Sequence, residues 1–209
     1  MKKLIGIFMA VVLVLSLAAC DSNTKQSTKE NENGQTIAES NSKDSAQTTN
    51  TDSKALVVYF SWSGNTEKVA KSIQSQTKAD IFEIVPEVPY SDDYDTVVDL
   101  AKKEQQQNAR PVIKDKIDNI ADYDTVYVGF PNWWGDMPMI LYTFFDDYDL
   151  SGKTVSLFCT SGASGLSDTV NEVKELEPEA TVTEGLHIGS SAASSPDDAV
   201  AKWLEKIGK

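Results

Sequence analysis

The sequence predicts an α/β domain of three layers, a five-stranded parallel sheet with helices on both faces. Two observations predict it. Five short apolar, β-branched runs, each bounded by turn or helix signals, read as buried strands, and a helical pattern lies after each of them. Strands and helices alternating in this way need crossover connections, and crossovers give parallel neighbours with both faces covered.

The strands are KALVVYF at 54–60, ADIFEIV at 79–85, DTVYVGF at 124–130, KTVSLFC at 153–159 and TVTEGLHI at 181–188. The first helix, Thr66 to Thr77, places Val69, Ala70 and Ile73 on one side. The second, Tyr94 to Gln107, is apolar at Val97, Val98 and Leu100 and then turns polar. Pro138 to Phe145 opens on a proline, whose missing N–H costs nothing at a helix start. Ser167 to Leu176 and Pro196 to Ile207 complete the set. The last is expected to take Ser195 as its N-cap, with Asp197 and Asp198 in the first turn, where carboxylates suit the helix dipole.

The chain ahead of this domain has a different character. Residues 1–20 join a basic start, MKK, to the apolar run LIGIFMAVVLVLSLAA and end at Cys20, the pattern of a secretory signal peptide. Leu17, Ala18, Ala19 and Cys20 resemble the lipobox of bacterial lipoproteins, in which the cysteine becomes the new amino terminus and carries the lipid. That resemblance implies a location at the bacterial cell membrane, lipid-anchored on the extracytoplasmic side. An ordinary cleaved signal with an incidental cysteine, or a retained span, are the alternatives. Residues 21–53 contain no aromatic residue and only Ile37 as a large aliphatic one. They bury too little apolar surface to offset the entropy of ordering, so a disordered polar tether is expected. Residues 54–209 have the composition and length of one globular domain.

Charge and rare residues narrow the function classes. A formal net charge of -13 argues against nucleic acid, because phosphate neutralisation needs a basic patch. Between Ala121 and Leu150 stand six aspartates and no lysine or arginine. That run reads either as a solvated acidic face or as one that docks basic partners and disfavours added negative charge. With Cys20 lipidated only Cys159 remains, which excludes an internal disulfide and a cysteine metal cluster; Cys159 is assigned to packing. The sole histidine, His187, reads as a satisfied polar residue. No metal site is expected, and no catalytic residue is nominated.

In open parallel sheets ligands bind beyond the carboxyl ends of the strands, so the loops after the first, third and fourth strands converge. After the first strand comes SWSGNT, Ser61 to Thr66. Gly64 permits a backbone shape that other residues resist, and the hydroxyls of Ser61, Ser63 and Thr66 stand beside free N–H groups of a helix start. Such a turn is an anion cradle suited to phosphate, or a plain serine-rich cap. After the third strand comes PNWWGDMP, Pro131 to Pro138. Adjacent side chains in an extended stretch face opposite ways, so at least one of Trp133 and Trp134 lies at the surface or against a ligand. A flat aromatic ligand carrying a phosphate suits this combination, and Trp62 would flank the same ligand; for each tryptophan the alternative is core packing. TSGASG, Thr160 to Gly165, follows the fourth strand with two glycines that let backbone approach a ligand edge.

Ser61 to Thr66 resembles the flavodoxin phosphate motif, Thr/Ser-x-Thr/Ser-Gly-Asn-Thr, and the other two loops stand where that family's isoalloxazine loops stand. Residues 54–209 as a whole resemble the flavodoxin fold, which implies strand order 2-1-3-4-5 and FMN as cofactor. The resemblance implies that Ser61, Ser63, Asn65 and Thr66 hold the FMN phosphate and that Trp133, Trp134 and Gly135 border the flavin. Thr160, Ser161, Gly162 and Gly165 would line its polar edge or the ribityl side, with Trp62, Gly64, Pro131 and Asn132 completing the cofactor site. The chain departs from many flavodoxins in carrying Trp62 in the phosphate loop and a double tryptophan where a tyrosine is common. The expected function is electron transfer to redox partner proteins or small-molecule acceptors. The alternatives are an FMN-dependent NAD(P)H oxidoreductase acting on a quinone or other small acceptor, and a non-catalytic flavin-binding lipoprotein. A hydride donor needs a basic group for its phosphates, and the aspartate-rich loop region supplies none in sequence.

Overall fold

A computed structural model describes residues 53–209. The expected signal peptide, the lipid site at Cys20 and the tether up to residue 52 lie outside the described residues. The elements run β1 (Ala55–Tyr59), α1 (Asn65–Thr77), β2 (Asp80–Glu83), α2 (Tyr94–Gln106), β3 (Thr125–Pro131), α3 (Met139–Asp147), β4 (Thr154–Ser161), α4 (Thr169–Leu176), β5 (Thr181–Val182), β6 (Leu186–Gly189) and α5 (Asp197–Lys206), with a 3-10 turn at Ile120–Asp122. The sheet is parallel with order β2-β1-β3-β4-β5, and β6 also pairs with β4. This is the three-layer, flavodoxin-like order that the sequence implied.

Period-2 alternation along the central strands divides the core into two halves. Leu56, Val58 and Phe60, with Val126, Val128 and Phe130 and with Val155, Leu157 and Cys159, face one side and pack against Ile140, Leu141 and Phe144 of α3 and Val173 of α4. Val57, Tyr59, Tyr127 and Phe158 face the other, against Val69, Ala70 and Ile73 of α1 and Val200, Trp203 and Leu204 of α5. Strands buried on both faces are continuous in hydrophobicity, which is why β1, β3 and β4 were legible as runs. Each such side chain contributes about 1.5–3 kcal/mol by leaving water.

Two details differ from expectation. The run 181–188 is two short strands rather than one. Thr181–Val182 pair with Thr154–Val155 and Leu186–Gly189 pair with Phe158–Ser161, so the edge strand holds one residue more than β4 between the two pairings. The polar Thr183-Glu184-Gly185 step absorbs it as a bulge: the Thr183 hydroxyl donates to the buried Ser156 Oγ at 2.8 Å, and the Glu184 carbonyl accepts from the Trp203 indole at 2.9 Å. The N-cap of α5 is Pro196 and not Ser195, with no side-chain cap bond, while Asp197 and Asp198 do occupy the first turn.

Candidate functional site

At the carboxyl ends of β1, β3 and β4 lies a cavity of about 370 Å³. Trp62, Ser63, Asn65, Pro131, Asn132, Trp133, Trp134, Thr160, Ser161 and Gly162 line it, so all three loops singled out in the sequence meet there. Ser61, Gly64, Thr66, Gly135 and Gly165 stand outside the lining.

The first loop is shaped by Gly64, which takes φ 78° and ends the turn as the N-cap of α1 without any side-chain cap bond. The Lys68 N–H is the first to reach back, to the Gly64 carbonyl at 3.3 Å. The N–H groups of Asn65, Thr66 and Glu67 therefore keep no intrahelical acceptor. Three hydroxyls of this region are buried. The Thr66 and Thr160 hydroxyls share a hydrogen bond of 2.9 Å between α1 and β4; one of the pair donates, leaving the proton of the other for a third group. Ser61 Oγ is the one buried side-chain polar atom among the described residues without a hydrogen-bond partner. An unpaired buried hydroxyl costs about 1–3 kcal/mol, so its retention at the start of the first loop points to an acceptor that the protein itself does not supply.

The second loop is a tight turn. Trp133 and Asp136 exchange backbone hydrogen bonds of 2.8 and 3.1 Å, and the residues between them, Trp134 and Gly135, take φ 55° and 83°. Two consecutive positive φ values make a type I′ geometry, which glycine adopts freely and a bulky tryptophan does not. Its neighbours hold Trp134 in that conformation: its indole N–H donates to the Val98 carbonyl at 3.0 Å, and the Lys102 ammonium sits 4.5 Å from its ring centre. Trp134 is 49% exposed, while Trp133 packs edge-on against Phe60 and Tyr90. Adjacent tryptophans thus diverge, one toward the core and one toward the surface. Trp62 lines the cavity from the first loop, donating its indole N–H to the Ser91 carbonyl at 2.9 Å.

The loops are stapled together. Asn132 accepts from the Gly135 N–H at 3.1 Å and donates to the Gly165 carbonyl at 3.2 Å and the Ser167 hydroxyl at 3.0 Å, tying the second loop to the third. The Ser161 hydroxyl accepts from the Gly165 N–H at 3.0 Å and lies 2.9 Å from His187 Nε2. Cys159, one turn of the pleat below, is buried; its thiol is pushed up to about 12, chiefly by that burial, and it serves packing.

Sequence reasoning missed one wall. Tyr94, Val97, Val98 and Ala101 of α2 and Ser190 after β6 also line the cavity. The signal was present in α2, whose apolar first half contrasts with its polar second half. The acidic run did not form one face. Asp136 accepts from the Tyr142 hydroxyl beside the site loop, Asp146 pairs with Arg110, and Asp124 accepts from the Lys54 N–H at the opposite, amino ends of β1 and β3. The Tyr142 oxygen also lies 3.2 Å from Glu172, whose carboxyl is pushed up to about 7 by burial first and by the hydrogen-bonded Asp136 carboxylate second.

Comparison with known proteins places this geometry. A family model described as Flavodoxin matches residues 54–207. A protein from Bacteroides eggerthii named as a flavoprotein is 33% identical, with a TM-score of 0.68 over 76% of this chain and 99% of its own. A counterpart from Bacteroides uniformis is 31% identical, with a TM-score of 0.66 over 73% of this chain and 98% of its own. A flavoprotein from Lactobacillus acidophilus, solved in complex with FMN, is 29% identical, with a TM-score of 0.58 over 72% of this chain and 98% of its own.

Proposed function

This chain belongs to the flavodoxin family, and from that premise we propose that its domain holds FMN and passes electrons between redox partners while a lipid on Cys20 anchors it to the outer side of a bacterial membrane. The observation that carries the cofactor reading is the unpartnered buried hydroxyl of Ser61 at the foot of the phosphate loop. The N–H groups of residues 65–67 stand in the same turn, with the spare proton of the Thr66–Thr160 pair behind it. A phosphate is the acceptor that such a set of donors suits, and it needs no lysine.

Bound FMN supplies one- and two-electron redox chemistry, and the protein supplies position and electrostatics. Ser61, Ser63, Asn65 and Thr66 would hold its phosphate. Trp62, Trp134 and the Val97–Val98 side of α2 would exclude water from the ring, and Thr160, Ser161 and Gly162 would meet its polar edge. Apolar walls with the Asp136 carboxylate in the Trp133–Asp136 turn make added negative charge on a bound ring costly, which favours a low potential. The membrane location rests on the lipobox-like Leu17–Cys20 sequence and the polar segment after it. Mass analysis of the mature protein for a diacylglyceryl group on Cys20 tests it.

One observation favours a second reading, an FMN-dependent NAD(P)H oxidoreductase. Lys102, on α2, places a cation over the ring of Trp134, which lines the cavity, a basic group that the loop sequences themselves lack. The two readings separate in one assay. An electron carrier loaded with FMN leaves NADPH and NADH unoxidised in the presence of a quinone, whereas steady oxidation establishes the enzyme.

A further inference from the structure

The sole histidine of the chain, His187, reads in sequence as a satisfied polar residue, yet it touches a residue that lines the cavity. β6 is in parallel register with β4, Cys159 opposite His187 and Ser161 opposite Gly189. Side chains two residues apart on a strand share a face, so His187 lies on the same face of the sheet as Ser161. The imidazole Nε2 is 2.9 Å from Ser161 Oγ, and His187 itself is exposed to solvent. Ser161 Oγ also accepts from the Gly165 N–H, and its carbonyl accepts from the Ser190 N–H at 2.8 Å, so the residue is fixed on three sides.

A hydroxyl has one proton and two lone pairs. With Nε2 unprotonated, the Ser161 proton is used in donating to the imidazole. With the imidazole charged, Nε2–H donates instead; the Gly165 and His187 donors then fill both lone pairs, and the Ser161 proton is left for an acceptor in the cavity. We propose that His187 is a positioning residue of the cofactor site, whose protonation releases the Ser161 hydroxyl to donate to the bound flavin. The inference rests on the FMN reading above and adds a proton-dependent step to it.

The surroundings leave this contact to itself. Among the described residues no carboxylate, lysine or arginine forms a hydrogen bond or ion pair with His187. Its register partner Cys159 is an uncharged thiol. Ile188 packs with the α5 side of the core, so Asp197, Asp198, Lys202, Glu205 and Lys206 belong to a helix on the opposite face. On the His187 face α4 carries Glu172, whose partner is Tyr142, together with Asp168, Lys174 and Glu175. On the edge strand itself Glu184 pairs with Lys206.

Because the coupling turns on the charge of one imidazole, it reads out as a pH profile. FMN titrations, followed by quenching of flavin fluorescence, are compared for the wild type and His187→Gln between pH 5.5 and 8. The phosphate of FMN titrates in the same window in both proteins, so the ratio of their dissociation constants isolates the histidine. Wild-type affinity relative to the variant is expected to rise about fivefold toward pH 5.5, the worth of one added hydrogen bond. Ser161→Ala removes the same pH-dependent increment. In the protein without FMN, nitrogen-15 NMR of the single histidine is expected to show the tautomer with its proton on Nδ1 at pH 8. A ratio that stays flat with pH while FMN binds, or an Nε2–H tautomer at pH 8, overturns the coupling. Absence of FMN binding to either protein at every pH overturns the cofactor reading and this inference together.

Discussion

Replacing Ser61 by alanine separates the cost of the cradle from its use. In the protein alone, Ser61 Oγ is buried and bonds to nothing. Deleting it removes a desolvated polar atom, so the unliganded domain should lose no stability and should gain up to about 1 kcal/mol, at the low end of the penalty for an unpaired buried group. With FMN present the balance reverses. A hydrogen bond to a charged phosphate contributes about 1.5–3 kcal/mol, and at about 1.4 kcal/mol per decade its loss weakens FMN binding about 10- to 140-fold. Urea unfolding followed by circular dichroism measures the first quantity, and fluorescence titration measures the second. The reasoning is refuted if Ser61→Ala destabilises the unliganded protein by more than about 1 kcal/mol, because the hydroxyl would then have a protein partner. Unchanged FMN affinity refutes it equally, because the orphan atom would not be waiting for phosphate.

Two further predictions concern titrating groups outside the cradle. The Glu172 carboxyl, raised from 4.5 to about 7, favours its protonated form in the folded state. The stability it contributes is complete below about pH 4.5 and is lost as pH rises through 7. The urea midpoint should therefore fall between pH 5 and 8, and Glu172→Gln, which keeps a donor toward Asp136, should flatten that fall; an unchanged slope contradicts it. Cys159, with its thiol near 12 and its side chain buried, should resist thiol-specific labelling in the native protein at pH 8 and react on unfolding, as read by peptide mass.

The parts of this molecule legible in sequence were those encoded by neighbours along the chain. β1, β3 and β4 announced themselves because strands buried on both faces are uninterrupted apolar runs, and the three loops did so through glycines and hydroxyls at strand ends. What escaped depends on contacts between distant segments. The split of the fifth strand follows from one extra residue measured against β4, a register that 181–188 alone does not contain. The left-handed backbone of Trp134 is sustained by a carbonyl and a lysine on α2, 36 residues away in the case of Val98. The α2 wall of Tyr94, Val97 and Val98 was visible as an apolar half-helix, but its destination was not. His187 looked like an incidental polar residue because only the β4–β6 pairing brings it to Ser161.

The most direct test of the central claim is a titration of FMN into the purified, cofactor-free protein, followed by the visible flavin absorbance and by tryptophan emission. The structure predicts saturable binding of one FMN per chain, with a shifted flavin band and quenching of the tryptophans that line the cavity. A flavin spectrum and tryptophan emission that stay at their free values at saturating FMN would contradict it.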